Sequence, residues 1–230
     1  MMKNVLSCAV LSAALIGFAT PAHALSITGG VLNTSVGSFS DTGVDSVNLI
    51  DVDGNNDDAT AFLLLELAGN ANINSFGIYG FTGSGNSVVL GDMLEVFSGS
   101  ASAVTSQTIR FDVASGEAWI GAGPHKNIGT NFGFYLSNGT NTFFSHTGLN
   151  GDGFDHTKLY NVQNSGAGEL FGSNVVVAFE DLPGGGDQDF DDLVVGVNDV
   201  TPVPEPGSMM LLGTGLFGLA GAARRRFLRA

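Results

Sequence analysis

Asn174-Val175-Val176-Val177-Ala178-Phe179-Glu180-Asp181-Leu182-Pro183-Gly184-Gly185-Gly186-Asp187-Gln188-Asp189-Phe190-Asp191-Asp192-Leu193-Val194-Val195-Gly196-Val197 decides the fold class. Two short runs of β-branched and aromatic residues flank a polar segment built on Leu-Pro-Gly-Gly-Gly. Such runs are the right length for strands, and the Pro/Gly punctuation between them is a chain reversal. The same grammar recurs along the chain. Further candidate strands are Val44–Ile50, Ala59–Leu67, Ser75–Phe81, Ser87–Leu90, Met93–Phe97, Thr105–Val113, Ala118–Gly121, Asn131–Ser137, Thr142–Ser145 and Lys158–Val162, each bounded by Gly, Asn, Ser or Asp. Ala59–Leu67 also fits a short helix by periodicity, but it lies between turn signals and lacks a polar face. The reading is all-β: an antiparallel sandwich, jelly-roll-like, with helix confined to the termini. No internal repeat of fixed period is evident.

Composition agrees. The 230 residues include 34 glycines, about twice the usual ~7%, and 43% are hydrophobic, enough for a core. The formal net charge is −14. All but one of the 22 acidic residues fall between residues 25 and 202, where the only basic side chains are Arg110, Lys126 and Lys158. A surface of that sign repels nucleic acid, whose binding needs clustered Lys and Arg. Cys8 is the single cysteine, so the chain has no disulfide framework and no cysteine-based zinc site.

The two ends read as addresses. Lys3, the apolar run Val5–Ala19 and the Ala22-His23-Ala24 triplet form a secretory signal peptide over residues 1–24, with cleavage after Ala24. The other end, residues 203–230, carries Pro204-Glu205-Pro206, an apolar run from Met209 to Ala223, and Arg224-Arg225-Arg226. At ~1.5 Å per residue that run is a short membrane helix, and the arginines behind it stay cytoplasmic. The body between, residues 25–202, is the β domain.

This end resembles the PEP-CTERM sorting signal of Gram-negative bacteria. The resemblance implies that exosortase, a membrane peptidase, recognises Pro204-Glu205-Pro206 and removes the tail. It also implies inner-membrane anchoring before processing, a later place at the cell surface or outside the cell, and a producer of exopolysaccharide.

Three stretches of the body are acidic: residues 51–58, 150–156 and 180–192. The last holds six carboxylates in thirteen positions and no basic residue. Two unit charges ~5 Å apart repel by about 0.8 kcal/mol even in water. Either all six point into solvent or a cation neutralises some of them. Ca²⁺ takes six to eight hard oxygens. In an extended chain Asp187, Asp189 and Asp191 share one face, and the glycines free carbonyls to turn inward. The candidate ligands are Glu180, Asp181, Asp187, Asp189, Asp191 and Asp192, with Asp152 and Asp155 completing that site or a neighbour. Asp51, Asp53, Asn55 and Asp57 form a possible second site. Neither loop is an EF-hand, because Asp192 and Asn56 stand where the invariant glycine belongs. His156 is expected to hydrogen-bond a neighbouring carboxylate or backbone group rather than to hold a metal, while His125 and His146 read as loop residues without a signal.

The segment from Phe179-Glu180-Asp181-Leu182 to Val194 is similar to the signature of the DUF4114 family, a domain of unknown function in exported bacterial proteins. Asn150-Gly151-Asp152-Gly153-Phe154-Asp155-His156 and Gly133-Phe134-Tyr135-Leu136 are similar to its upstream segments, so the resemblance is best over residues 130–197. It implies a β-rich domain and calcium, and no activity. Gly151 and Gln188 depart from the family's usual Pro and Arg; the second departure removes a possible internal counter-charge.

The function expected is that of an exported, non-enzymatic surface or extracellular-matrix protein with a calcium-binding acidic loop. Its partners would be exopolysaccharide or other surface proteins. The alternative is a carbohydrate-binding module, although Trp119 and the tyrosines Tyr79, Tyr135 and Tyr160 are few for an aromatic platform. A hydrolase is not expected: G-x-S-x-G, H-E-x-x-H and a reactive cysteine are all missing.

Overall fold

The computed structural model describes residues 41–50, 58–65, 72–101, 105–163, 172–203 and Thr214. The signal peptide, the Asp51–Asp57 loop, and the Pro204–Pro206 motif with its apolar run and arginines lie outside them. Among the described residues, no helix is long and apolar enough to cross a membrane.

Two antiparallel sheets form a sandwich. The strands are β1 (Val47–Leu49), β2 (Asp58–Leu65), β3 (Ser75–Thr82), β4 (Val89–Phe97), β5 (Ser106–Asp112), β6 (Glu117–Ile120), β7 (Lys126–Asn127), β8 (Asn131–Ser137), β9 (Thr142–Phe144), β10 (Thr157–Asn161), β11 (Val175–Phe179), β12 (Leu193–Val197) and β13 (Val200–Pro202). The first sheet has the order β13-β1-β8-β3-β4, with β9 also on β8; the second runs β10-β11-β12-β2-β5-β6-β7. Residues 58–65 are strand, so the helical reading of that segment fails: Ala59, Ala61 and Leu63 alternate into the core with a period of two.

Phenylalanine fills the space between the sheets. Phe76 of β3 meets Phe179 of β11 edge-on at 6.3 Å, and Phe132 of β8 stacks on Phe111 of β5 at 5.4 Å. Each contact joins one sheet to the other, and such pairs add about 0.5–1.5 kcal/mol beyond the area they bury. β11 and β12 are buried along their whole length, on both faces. That is why the opening stretch reads as unbroken apolar runs rather than as alternation. Val175, Val177, Phe179, Leu193, Val195 and Val197 enter the main core.

The outer face of the first sheet carries a second, smaller core of Tyr79, Tyr135 and Phe144. Its packing is reciprocal across β3 and β8. Gly77 pairs with Tyr135 and Gly133 with Tyr79. A Cβ on either glycine would run into the facing tyrosine ring, so each glycine is the floor on which a ring lies. His146 belongs to this core and not to a polar loop: it is buried, its Nδ1 lies 2.6 Å from the Tyr79 hydroxyl, and burial pushes its imidazole down to about 4.

Sequence reading divided β4 into Ser87–Leu90 and Met93–Phe97 because Gly91-Asp92 resembles a turn. The strand is continuous, and the pair is absorbed as a register shift opposite Tyr79–Phe81. β7 and β13 were not expected as strands. β13 pairs antiparallel with β1, and β1 pairs antiparallel with β8, so β13 runs in the same direction as β8.

Candidate functional site

The reversal between β11 and β12 lies at one end of the sandwich, and long-range hydrogen bonds pin it there. Asn74, just before β3, donates to Asp181 Oδ2 at 2.8 Å; Asn138, just after β8, donates to the Asp181 carbonyl at 2.8 Å. Both asparagines flank strands of the first sheet and Asp181 follows β11 of the second, so one buried aspartate ties the two sheets together at this end. A hydrogen bond of this kind contributes about 0.5–1.5 kcal/mol net, and losing one partner would leave a buried polar group unpaired at a larger cost. Asp192 works from within the turn, its Oδ2 accepting the Asp181 N–H at 2.9 Å.

The chain between these pins is coiled rather than extended. Gly184, Gly185 and Gly186 all have positive φ, as do the non-glycine residues Gln188 (62°) and Phe190 (56°). Left-handed backbone at a phenylalanine is costly and persists only where its surroundings enforce it. Here Phe190 is buried, its N–H donates to Glu180 Oε1 at 2.8 Å, and its ring lies 5.0 Å beneath the Lys158 ammonium. The coil brings Asp187 and Asp189 over Glu180. One carboxylate oxygen from each of the three lies within 4.8 Å of the other two. Gly186 makes the approach possible, since a Cβ there would stand 2.6 Å from Glu180 Oε2.

Glu180 is the centre of this arrangement. Its side chain is fully buried, and among the described residues no donor reaches Oε2. Burial, assisted by repulsion from Asp192, Asp187 and Asp189, pushes its carboxyl up to about 7 despite the Phe190 N–H. Asp191 is raised to about 6 by burial and by the Asp189 carboxylate with which it shares a hydrogen bond. Asp192 is raised by burial, against the Asp181 N–H that stabilises its charge. Among the described residues, no Lys or Arg pairs with Glu180, Asp187 or Asp189.

The other predicted residues have separate tasks. Asp155 is bound by Lys158 at 2.6 Å, and Lys158 reaches Asp41 at 3.3 Å. Asp152 braces the turn from outside: its Oδ2 accepts the Gly184 N–H at 2.8 Å and faces His156 Nε2 at 2.9 Å. The Gly184 N–H, with lesser help from Phe154 and His156, holds the Asp152 carboxyl well below its ordinary range against the cost of desolvation. His156, fully buried and stacked 4.0 Å over Phe143, points Nδ1 at the Glu180 carbonyl, 3.1 Å away. It has the carboxylate and backbone partners expected of it. Thus Glu180, Asp187 and Asp189 converge, Asp191 is hydrogen-bonded to one of them, Asp181 and Asp192 pin the turn, and Asp152 and Asp155 lie outside the cluster. Asn74 and Asn138 were missed. Their partner is more than forty residues away in sequence, and an asparagine beside a strand signals only a turn.

The cluster has the dimensions of a single cation site. Oxygens on one Ca²⁺ at about 2.4 Å are at most about 4.8 Å apart. The three carboxylates meet that limit as they stand, and Asp187 and Asp189 are exposed, which leaves room for water or carbonyl oxygens to complete a shell.

As for aromatic surfaces, Tyr79, Tyr135 and Tyr160 are all buried. Trp119 is partly exposed on the outer face of the second sheet, its ring stacked on His125 at 4.3 Å, with Glu117 bonded to that histidine at 3.1 Å.

Comparison with known families gives two matches. Residues 126–199 match the family described as domain of unknown function (DUF4114), a span that runs from β7 through β12 and contains the whole acidic site. Residues 202–226 match the PEP-CTERM protein-sorting motif. The chain is thus marked as an exported protein, anchored in the membrane until exosortase cuts it. No curated protein and no solved structure matches the chain.

Proposed function

We propose that this exported protein works at the cell surface or in the extracellular matrix as a binding and structural module, and that its acidic turn holds Ca²⁺ through Glu180, Asp187 and Asp189. The observation that carries the reading is Glu180 Oε2: a buried carboxylate oxygen with no donor among the described residues, aimed at two further carboxylates. An unpaired buried charge is among the most expensive features a fold can keep. A divalent cation removes the expense, and hard oxygen ligands without sulfur or imidazole favour calcium over a transition metal.

We assign no hydrolysis to the cluster: on this reading three carboxylates that converge on one point are ligands of an ion rather than a differentiated acid and base. Surface glycans such as exopolysaccharide, or other surface proteins of a Gram-negative host, are the partners that fit this role.

Calcium titration of the full chain in detergent micelles, by calorimetry and thermal melting, tests the site. Ca²⁺ bound only to the folded state adds RT ln(1 + [Ca²⁺]/Kd), about 2.7 kcal/mol at a hundredfold excess over Kd. Asp189→Ala with Asp191→Ala should remove most of that gain and leave the far-UV spectrum unchanged. Identical melting in calcium and in chelator, with no heat of binding, would reduce the turn to a solvated acidic loop.

A further inference from the structure

Trp119 is the only tryptophan of the chain, and it faces outward. Its neighbour Ala118 points into the core between the sheets, so the alternation of β6 puts Glu117 and Trp119 on the outer face. The indole belongs to neither of the two cores described above and stays half-buried.

The register surrounds this ring with hydrogen-bonding groups. Trp119 lies opposite Arg110 of β5, and Arg110 opposite Asp58 of β2, in one row across three strands. The row on one side holds Asp112 and Glu117; the row on the other holds Thr60 and Thr108. An apolar plane ringed by donors and acceptors suits a pyranose. The sugar's axial C–H groups, slightly positive, pack on the negative face of an indole, while its equatorial hydroxyls turn outward to charged side chains. Other occupants fit less well. The centre of a protein interface is apolar and poor in charge, whereas these rows hold one apolar ring among charged and hydroxyl side chains. A nucleobase arrives with phosphates that a chain of net charge −14 repels. A uronate would meet Asp58, Asp112 and Glu117 around the single Arg110, so the sugar that fits is neutral.

One face of the ring is already taken. His125 lies flat on the indole, centroids 4.3 Å apart and planes 2° apart, where a sugar ring would stack. Its other anchor is Glu117, 3.1 Å from Nδ1, and the two side chains are 49% and 46% exposed. A contact so exposed is weak.

We propose that Trp119, Arg110 and Glu117 bind a neutral pyranose unit of a surface polysaccharide, and that His125 is a placeholder which the sugar displaces, releasing Glu117 to accept its hydroxyls. This rests on reading the domain as a surface binding module and does not use the calcium site. β6 stands four strands from β11, roughly 19 Å, so the two sites are separate.

Because Trp119 is the sole tryptophan, the emission of the full chain in micelles of a sugar-free detergent reports this site alone. The probes are hexasaccharides of glucose, mannose and galactose, with hexagalacturonate as the acidic comparator. At least one neutral probe should shift the emission saturably, equally in calcium and in chelator. By calorimetry, Trp119→Ala should weaken binding about tenfold or more, and Trp119→Phe, which keeps a smaller ring, by less. His125→Ala should tighten binding, by up to about fivefold, since the placeholder no longer competes; a histidine that merely supports the ring would have the opposite effect. No saturable shift with any neutral probe, binding of hexagalacturonate alone, or weaker binding by His125→Ala overturns the inference. Calcium heat without a sugar response overturns it and leaves the calcium site standing. A sugar response without calcium heat upholds it and removes the calcium site.

Discussion

Glutamine at position 180 should make the calcium-free protein more stable, not less. In the folded chain the Glu180 carboxyl sits at about 7 instead of 4.5. A raised carboxyl stabilises the fold fully below its unfolded value and loses that contribution as pH climbs through the folded one. At pH 8 the ionised Glu180 therefore opposes folding by roughly 3 kcal/mol, at 1.36 kcal/mol per tenfold change in proton affinity. E180Q keeps an acceptor for the Phe190 N–H, removes the charge and offers an amide donor toward Asp187 and Asp189. For a chain of this size 1 kcal/mol moves the melting temperature by about 2–4 °C, so in chelator at pH 8 the variant should melt up to roughly 6–12 °C above the parent. The same variant should lose the calcium response, since the buried ligand is gone. Differential scanning calorimetry in chelator and in millimolar calcium reads both effects. A variant that melts at or below the parent in chelator, or that keeps the full calcium shift, would refute the reasoning.

Three further outcomes are expected. The calcium-induced rise in melting temperature should be small at pH 5 and complete at pH 8, because Glu180 (about 7) and Asp191 (about 6) must lose protons to bind the ion; melts across that range check it. Gly185→Ala forces a side chain onto a backbone at φ +82° and into the Phe154 ring, and should cost about 1–3 kcal/mol in denaturant titrations. Intact mass of the native protein should show Leu25 at its N-terminus and the tail beyond Pro204–Pro206 removed; a mass that retains Arg224–Arg226 after export would exclude exosortase processing.

The strands were legible where burial is simple. Asn131–Ser137 and Leu193–Val197 coincide with β8 and β12 because their apolar runs fill a strand and stop at turn residues. β7 and β13 have only two and three residues, too few for any periodicity, and exist because β6 and β1 offer them an edge. The acidic turn was legible as chemistry and not as geometry. Alternation on an extended chain predicted a shared face for Asp187, Asp189 and Asp191. The actual convergence comes from left-handed Gln188 and Phe190, conformations no sequence rule assigns to those residue types. Asp155 reads as a ligand because it stands in the acidic stretch 150–156; in the fold Lys158 binds it and also reaches Asp41, a partner remote in sequence.

The direction of β13 also bears on how the domain would carry load. A pull on the tail along the strand axis would enter at Val203 and load the hydrogen bonds between β13 and β1 in shear, all at once, instead of peeling them one by one. The force passes through the tight Asn198–Asp199 corner into β12, in the middle of the opposite sheet. That corner is held by Asn174 Oδ1 on the Asp199 N–H at 2.6 Å and by the Asp199 carbonyl on the Ile50 N–H at 2.7 Å. A three-residue strand at the rim thereby acts as a cleat between the sandwich and its tail.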